Sequence, residues 1–414
     1  MLKFSFLPKK DLTLNDLKIA ILNYIIAKQK NDGFIIRVSD IAINLDGKEQ
    51  ESLDILKKFA IKEDILIYQS EKIKTYQEFA YKLLKENKAF ACFCNQEELS
   101  KEEKYNNRCL HLSNKEIEQF KSKNKKFRIR IKAQKNPLII NDNLLGDIEF
   151  QENEIDSFVI LDENGNPTYN FASAIDDMSM AIDTIITDKT QLNNSIKQKY
   201  IQNELGYSNS IEYIHLPLIE NSNNYSIKRL LKEGFLPDAI INYLLTVSYK
   251  EEKEIFYLPD AIKWFDINKV DTSSILFDID RLKELNRNHL EIMDSKKLSS
   301  IFGFADKEIG ELLKLYLNNV STINELEQII KNIFEPKDCN KSKNIKILSQ
   351  IIQKAPMIKS FQEFKIYLEQ KSNLKDKDLE EPLKYLLTGE NQGLELEKIY
   401  PLIKSYILEV ARCH

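Results

Sequence analysis

FLPKKDLTLNDLKIAI, residues 6–21, decides how the chain is read. It leaves a short apolar strand (2–7), turns through Pro8 and two lysines, and enters a helix (14–29). The buried side of that helix is supplied by Ile19, Ile21, Leu22, Ile25 and Ile26, at helical spacing. A second strand, GFIIRV (33–38), and a second helix (52–59) follow. Strands alternating with helices predict a parallel sheet covered by helices. At such a strand-to-helix turn a nucleotide site normally presents glycine or histidine to the phosphates. This turn reads Asp11-Leu12-Thr13-Leu14-Asn15-Asp16. The chain has 10 glycines in 414 residues, and none precedes Gly33. A glycine-rich phosphate cradle therefore has no place at the first turn.

Composition sets the outer bounds. A length of 414 residues suits two to four domains with ample core. Hydrophobic residues make up 43% and charged residues 30%, as in ordinary globular proteins. The net charge of −4 gives no global pull toward nucleic acid, so such contacts must come from local patches. The first residues do not read as a signal peptide. No apolar run nears the roughly 20 residues that span a bilayer. The expectation is a cytoplasmic protein with no membrane and no DNA partner. In that compartment five cysteines suggest metal before disulfide.

Residues 76–150 change character. A helix (76–88) leads into AFACFCNQEEL, a charged stretch and RCLHLS. Cys92-x-Cys94 and Cys109-x-His111 stand 14 residues apart and can supply four tetrahedral ligands, which would make a closed, structural zinc site. The alternative is that the thiols pack as small hydrophobes and His111 lies on the surface. Cys339 reads as a lone thiol, and Cys413-His414 as a mobile end. In KKFRIRIKAQ (125–134), Arg128, Arg130 and Lys132 alternate with apolar residues and give a strand one basic face. Residues 156–190 return to strands and a helix, and from about 225 the chain reads as almost wholly helical. Asp176 and Asp177 adjoin on a helix and point about 100° apart, so they are not expected to converge.

AFACFC…RCLH, PTYNFASAIDDM (167–178), IHLPLI (214–219), AIKWFDINKV (261–270) and YLLTGENQGLELEKIYP (385–401) together resemble bacterial glutamyl-tRNA synthetase, a class I aminoacyl-tRNA synthetase. The resemblance runs over nearly the whole chain. It implies an α/β Rossmann-type catalytic domain in two halves (1–75 and 151–215), split by a zinc-bearing connective insertion (76–150). A stem-contact domain (216–305) and an all-α anticodon-binding domain (306–414) follow. It further implies ATP with Mg²⁺, glutamate and tRNA of the Glu or Gln type as ligands. Arg128, Arg130 and Lys132 are then possible tRNA contacts, with a solvated edge strand as the alternative.

The sequence departs from the family where the chemistry lies. The family pattern FAPSPTGxxHIGN is matched by FSFLPKKDLTLND, so Thr13 takes the place of a histidine, Asn15 that of the glycine, and Asp16 adds negative charge. The KMSK-like lysine loop should follow IHLPLI, where this chain has only ENSNNYSIKR (220–229). Lys3 and Thr187 stand where the family has arginines, and Ser39 where it has glutamate. Tyr169 is kept, and the neighbouring pocket position is Ser173. The expectation is a family scaffold without aminoacylation activity that binds tRNA or a protein partner such as an active synthetase. The alternative is an active glutamate–tRNA ligase with an unusual ATP site.

Overall fold

The computed structural model describes residues 1–94, 105–222, 224–250 and 255–414. The remainder of AFACFCNQEEL beyond Cys94, the stretch 95–104, and residue 223 of the lysine-loop interval lie outside the described residues. The chain forms two compact units. One comprises residues 1–229 and 244–277, the other 230–243 and 278–414. The segment 216–305, expected as one domain, is divided between them.

In the first unit β1 (Leu2–Phe6), β2 (Phe34–Val38) and β3 (Ile65–Tyr68) form a parallel sheet in that order. Parallel strands need crossovers, and α1 (Leu14–Lys30) and α2 (Lys48–Lys58) supply them. β2 reads FIIRV and every one of its residues is buried, as a strand covered on both faces requires. α1 buries Leu14, Leu17, Ala20, Ile21 and Ile25 completely. Each such leucine or isoleucine contributes roughly 1.5–3 kcal/mol. One fully covered side chain on α1 breaks the pattern. Lys18 is 2% exposed and its Nζ has no hydrogen-bond partner among the described residues.

α3 (Ile73–Lys85) leads into the insertion. There β4 (Ala89–Cys92), β5 (Arg128–Ile131) and β8 (Val159–Leu161) form an antiparallel sheet, and α4 (Asn114–Ser122) is held at its start by a Ser113–Glu116 capping box. β6 (Leu138–Asp142) and β7 (Gly146–Phe150) make a hairpin that joins β9 (Thr184–Asp188) and β10 (Glu212–Leu216). β9 runs beside β1, where Asp183 N–H donates to Met1 O at 3.4 Å. α5 (Tyr169–Ser179) and α6 (Leu192–Glu204) pack over these strands, and α7 (Leu258–Trp264) packs on α1.

The second unit is helical, with its own core of Leu298, Leu312, Leu326, Leu348, Leu386 and Ile399. Two glycines mark close approaches. A Cβ at Gly310 would strike the backbone of Ser295, and one at Gly389, where φ is +78°, would strike that of Asn332. The C-terminus is not loose, contrary to expectation. Lys337 N–H donates to Arg412 O at 2.9 Å, His414 N–H donates to Lys337 O at 3.0 Å, and Cys339 is disulfide-bonded to Cys413.

Candidate functional site: a synthetase-like cleft and a thiol cluster

Ligands of open α/β sheets lie outside the carboxyl ends of the strands. A cleft of about 430 Å³ sits there, lined by the ends of β1, β2 and β9 and the first turns of α5 and α6. It brings together Lys3, Asp16, Ser39, Tyr169 and Thr187, residues from five separate stretches of sequence. Ser173 lies behind the wall, where its Oγ accepts from Arg37 Nη2 at 3.1 Å. Thr13 and Asn15 do not line the cleft.

The turn before α1 is occupied by its own side chains. Asp16 accepts from Thr13 N–H at 2.9 Å and from the Thr13 hydroxyl at 2.7 Å, while Asp16 N–H donates to Thr13 Oγ1 at 3.1 Å. This capping box uses the helix N-terminus that would otherwise face an anion. The Asn15 amide donates to Ile219 O at 3.1 Å and accepts from Ile219 N–H at 2.9 Å. Its side chain acts as one more rung of backbone pairing. Ile227 N–H donates to Leu12 O at 3.0 Å, so the segment after Ile219 closes directly on this turn. Lys228 lies in the helix Ile227–Lys232 and pairs with Glu51 at 2.5 Å. Lys9 and Lys10 are exposed. The residues present do not fit a nucleoside triphosphate with its Mg²⁺, because a carboxylate that already uses the Thr13 donors and the helix N-terminus lies where phosphate charge would need them.

Both cations of the cleft are already engaged. Arg37 is 1% exposed, with Nη1 2.9 Å from Asp177 Oδ1 and 3.6 Å from Asp176 Oδ2. Lys3 Nζ meets Asp177 as well. Burial and the neighbouring Arg37 push the Lys3 ammonium down to about 8 despite that carboxylate. Asp176 also accepts from Gln69 at 2.8 Å and Tyr76 at 2.9 Å. The two adjacent aspartates therefore converge on one guanidinium, which their 100° offset did not suggest. Arg37 was legible as a charge inside an otherwise apolar strand and as the arginine that opens the Arg37-Val38-Ser39-Asp40 strand end, but not as the partner of the aspartates. A second buried chain was missed altogether: Ser195 Oγ lies 2.9 Å from His215 Nε2, and His215 Nδ1 lies 2.7 Å from Asp142.

In the insertion, the Cys92, Cys94 and Cys109 sulfurs lie within 4.8 Å of one another and can hold a metal ion. His111 is not with them. It ends the turn Arg108–His111 and is exposed. The group that joins the thiols is the Tyr105 hydroxyl, 3.4 Å from Cys92 Sγ and 3.8 Å from Cys94 Sγ. Cys94 and Cys109 sulfurs are 3.5 Å apart. Metal–sulfur bonds of about 2.3 Å put tetrahedral ligand atoms about 3.8 Å apart, and the Cys94–Cys109 sulfur separation is close to that. Arg108 Nε donates to Cys94 Sγ at 3.0 Å.

The basic strand face is also rearranged. Arg130 is buried, with its guanidinium 3.9 Å over the Tyr105 ring and donating to Ser157 O at 2.8 Å. Arg128 pairs with Glu163 at 2.6 Å, and Lys132 donates to Asn87 at 2.8 Å. Period-two alternation located the strand but did not reveal that β4 and β8 flank β5 on both edges.

Comparison with known proteins accords with this geometry. Residues 8–284 match the family described as tRNA synthetases class I (E and Q), catalytic domain. The chain is 44% identical to "Glutamate--tRNA ligase 2" of Sulfurovum sp., with 99% of this chain and 100% of that protein covered. It is 41% identical to "Glutamate--tRNA ligase 1" of Nitratiruptor sp., again over 99% and 100%. Among solved structures, a glutamate tRNA ligase from Elizabethkingia meningosepticum superposes with a TM-score of 0.79 at 22% identity, covering 99% of this chain and 97% of that one. The glutamate-tRNA synthetase of Elizabethkingia anophelis superposes at 0.77, also at 22% identity, covering 99% and 98%. Those two likenesses concern the fold. The chain belongs to the class I tRNA synthetases of the glutamate and glutamine type.

Proposed function

We propose that this chain is a member of its family that has lost aminoacylation and works by binding, with tRNA of the Glu or Gln type as its ligand and a protein partner such as an active synthetase as a further one. The observation that carries the reading is the Thr13–Asp16 capping box. It stands where the family pattern has histidine and glycine, and it places a carboxylate at the cleft. Removing one preorganised transition-state donor typically costs roughly 2.7–4 kcal/mol. Losing several lowers activity by many orders of magnitude, although such losses do not add.

The five-part division by residue number belongs to the same reading. So does a cytoplasmic location; no described helix is long and apolar enough to cross a membrane. Zinc is the metal that suits three thiols and a phenol in a closed set. It would cross-link the two ends of the 95–104 segment and supply no catalytic step. Of the basic side chains, Lys132 is better placed than the buried Arg130 to touch RNA.

The opposing reading, an active glutamate–tRNA ligase, draws on the 44% identity to a protein of that name. It requires ATP to be held by groups other than the family motifs. Binding of tRNA by gel shift, together with charging by the same preparation, tests the proposal. Charging at an ordinary rate rejects it, and tRNA binding without charging supports it.

A further inference from the structure

The cleft is open, and its lining charges are unequally paired. Lys3, Arg37, Asp16 and Asp188 are the charged side chains that line it. Arg37 and Lys3 are both held by Asp177, and Arg37 also by Asp176, so their charges are spent on carboxylates within the wall. The two lining carboxylates have no such compensation. Asp16 is bonded to Thr13 alone, and Asp188 to the N–H of Thr190 at 2.8 Å and to its hydroxyl. Neither forms an ion pair with a described residue.

A second observation points to a ligand. Ser5 Oγ and Ser39 Oγ line the same cleft, and both are buried without a hydrogen-bond partner. Ser39 is only 7% exposed. Phe4, Phe6 and Ile186 also line the cleft and give it apolar surface.

We propose that the cleft takes a small aliphatic amine, with an ammonium group and a methylene stem but neither carboxylate nor phosphate. Carboxylates with no ion-pair partner among the described residues attract an ammonium and repel an anion. The serine hydroxyls accept its N–H groups, and the aromatic and isoleucine surface covers its stem. Among the described residues that line the cleft, glutamate and ATP find no cation outside an ion pair to meet their negative charges. This inference rests on the reading that the site has left aminoacylation.

The test is calorimetric titration of the full chain with putrescine, glutamate and ATP–Mg²⁺, alongside the tRNA-charging assay on the same protein. Putrescine is expected to bind at millimolar concentration or tighter, and to weaken as salt rises. Asp188→Asn is expected to reduce its affinity about tenfold, with Asp16→Asn as the second variant. Unfolding midpoints establish that each variant folds. Glutamate and ATP are expected to show no heat of binding at the same concentrations. Absence of putrescine binding, or binding that neither variant weakens, overturns the amine assignment and leaves the non-charging reading standing. Binding of glutamate or ATP together with charging overturns both.

Discussion

The Cys339–Cys413 disulfide sets a measurable stability for the helical unit. Its Cα atoms are 5.6 Å apart, and the cross-link closes 74 residues of sequence. In the chain-entropy account a loop of that length restricts the unfolded state by about 4.5 kcal/mol. Native contacts support the same geometry, so little should be lost to distortion. Lys337 N–H donates to Arg412 O, Ser349 Oγ donates to Ala411 O at 2.7 Å, and Cys339 is buried. The perturbation is Cys413→Ser, or reduction of the native chain, followed by urea and thermal unfolding. Residual order in the unfolded state trims the expected loss to about 3–4 kcal/mol. For a unit of this size that is roughly 6–16 °C in the midpoint of its transition. Thiol titration of the oxidised, denatured chain with chelator present should find three free thiols out of five cysteines. Five free thiols in protein purified without reductant, or a Cys413→Ser midpoint equal to that of the oxidised chain, would refute the reasoning.

Three further outcomes follow from named residues. Burial pushes Lys18 down to about 7, so Lys18→Met, which removes an unpartnered buried amine, should stabilise the first unit at neutral pH by about 3 kcal/mol. Denaturant midpoints check this, and a destabilised variant would show that the amine has a partner. Stability of the native chain should rise with pH between about 7 and about 10. Lys18 at about 7 and Lys3 and Lys337 at about 8 shed protons in the folded state that the unfolded chain still holds, and a falling midpoint across that window would contradict this sign. Metal content measured by mass spectrometry should stay near one zinc per chain in His111→Ala, fall several-fold in affinity in Tyr105→Phe, and vanish in Cys109→Ser; loss in His111→Ala would restore the histidine as ligand.

Local pattern carried most of the architecture. The buried spacing of α1 and the uniform burial of β2 follow from apolar runs, and β1, β2 and β9 lie close to where those runs put them. Lys3, Ser39, Tyr169 and Thr187 were legible as one site only because a family pattern linked distant stretches; nothing in their own neighbourhoods joins them. What stayed hidden was long-range pairing. Asp177 meets Arg37 across 140 residues, His215 meets Asp142 across 73, and Cys339 meets Cys413 across 74. Spacing proposed His111 as a metal ligand because a Cys-x-His pair is compact, but the tight turn Arg108–His111 sends its two side chains apart and leaves Tyr105 beside the thiols. Arg130 read as surface because alternation cannot tell a solvent face from one covered by an aromatic ring.

The most direct test is tRNA-dependent glutamate charging by folded, zinc-loaded protein at high concentration, with tRNA-Glu and tRNA-Gln in parallel. The capping box at Thr13 and the neutralised pair Lys3 and Arg37 predict no glutamyl-tRNA above background with either tRNA. Steady accumulation of glutamyl-tRNA at an ordinary synthetase rate would mean that ATP is held by other groups, and would contradict the account.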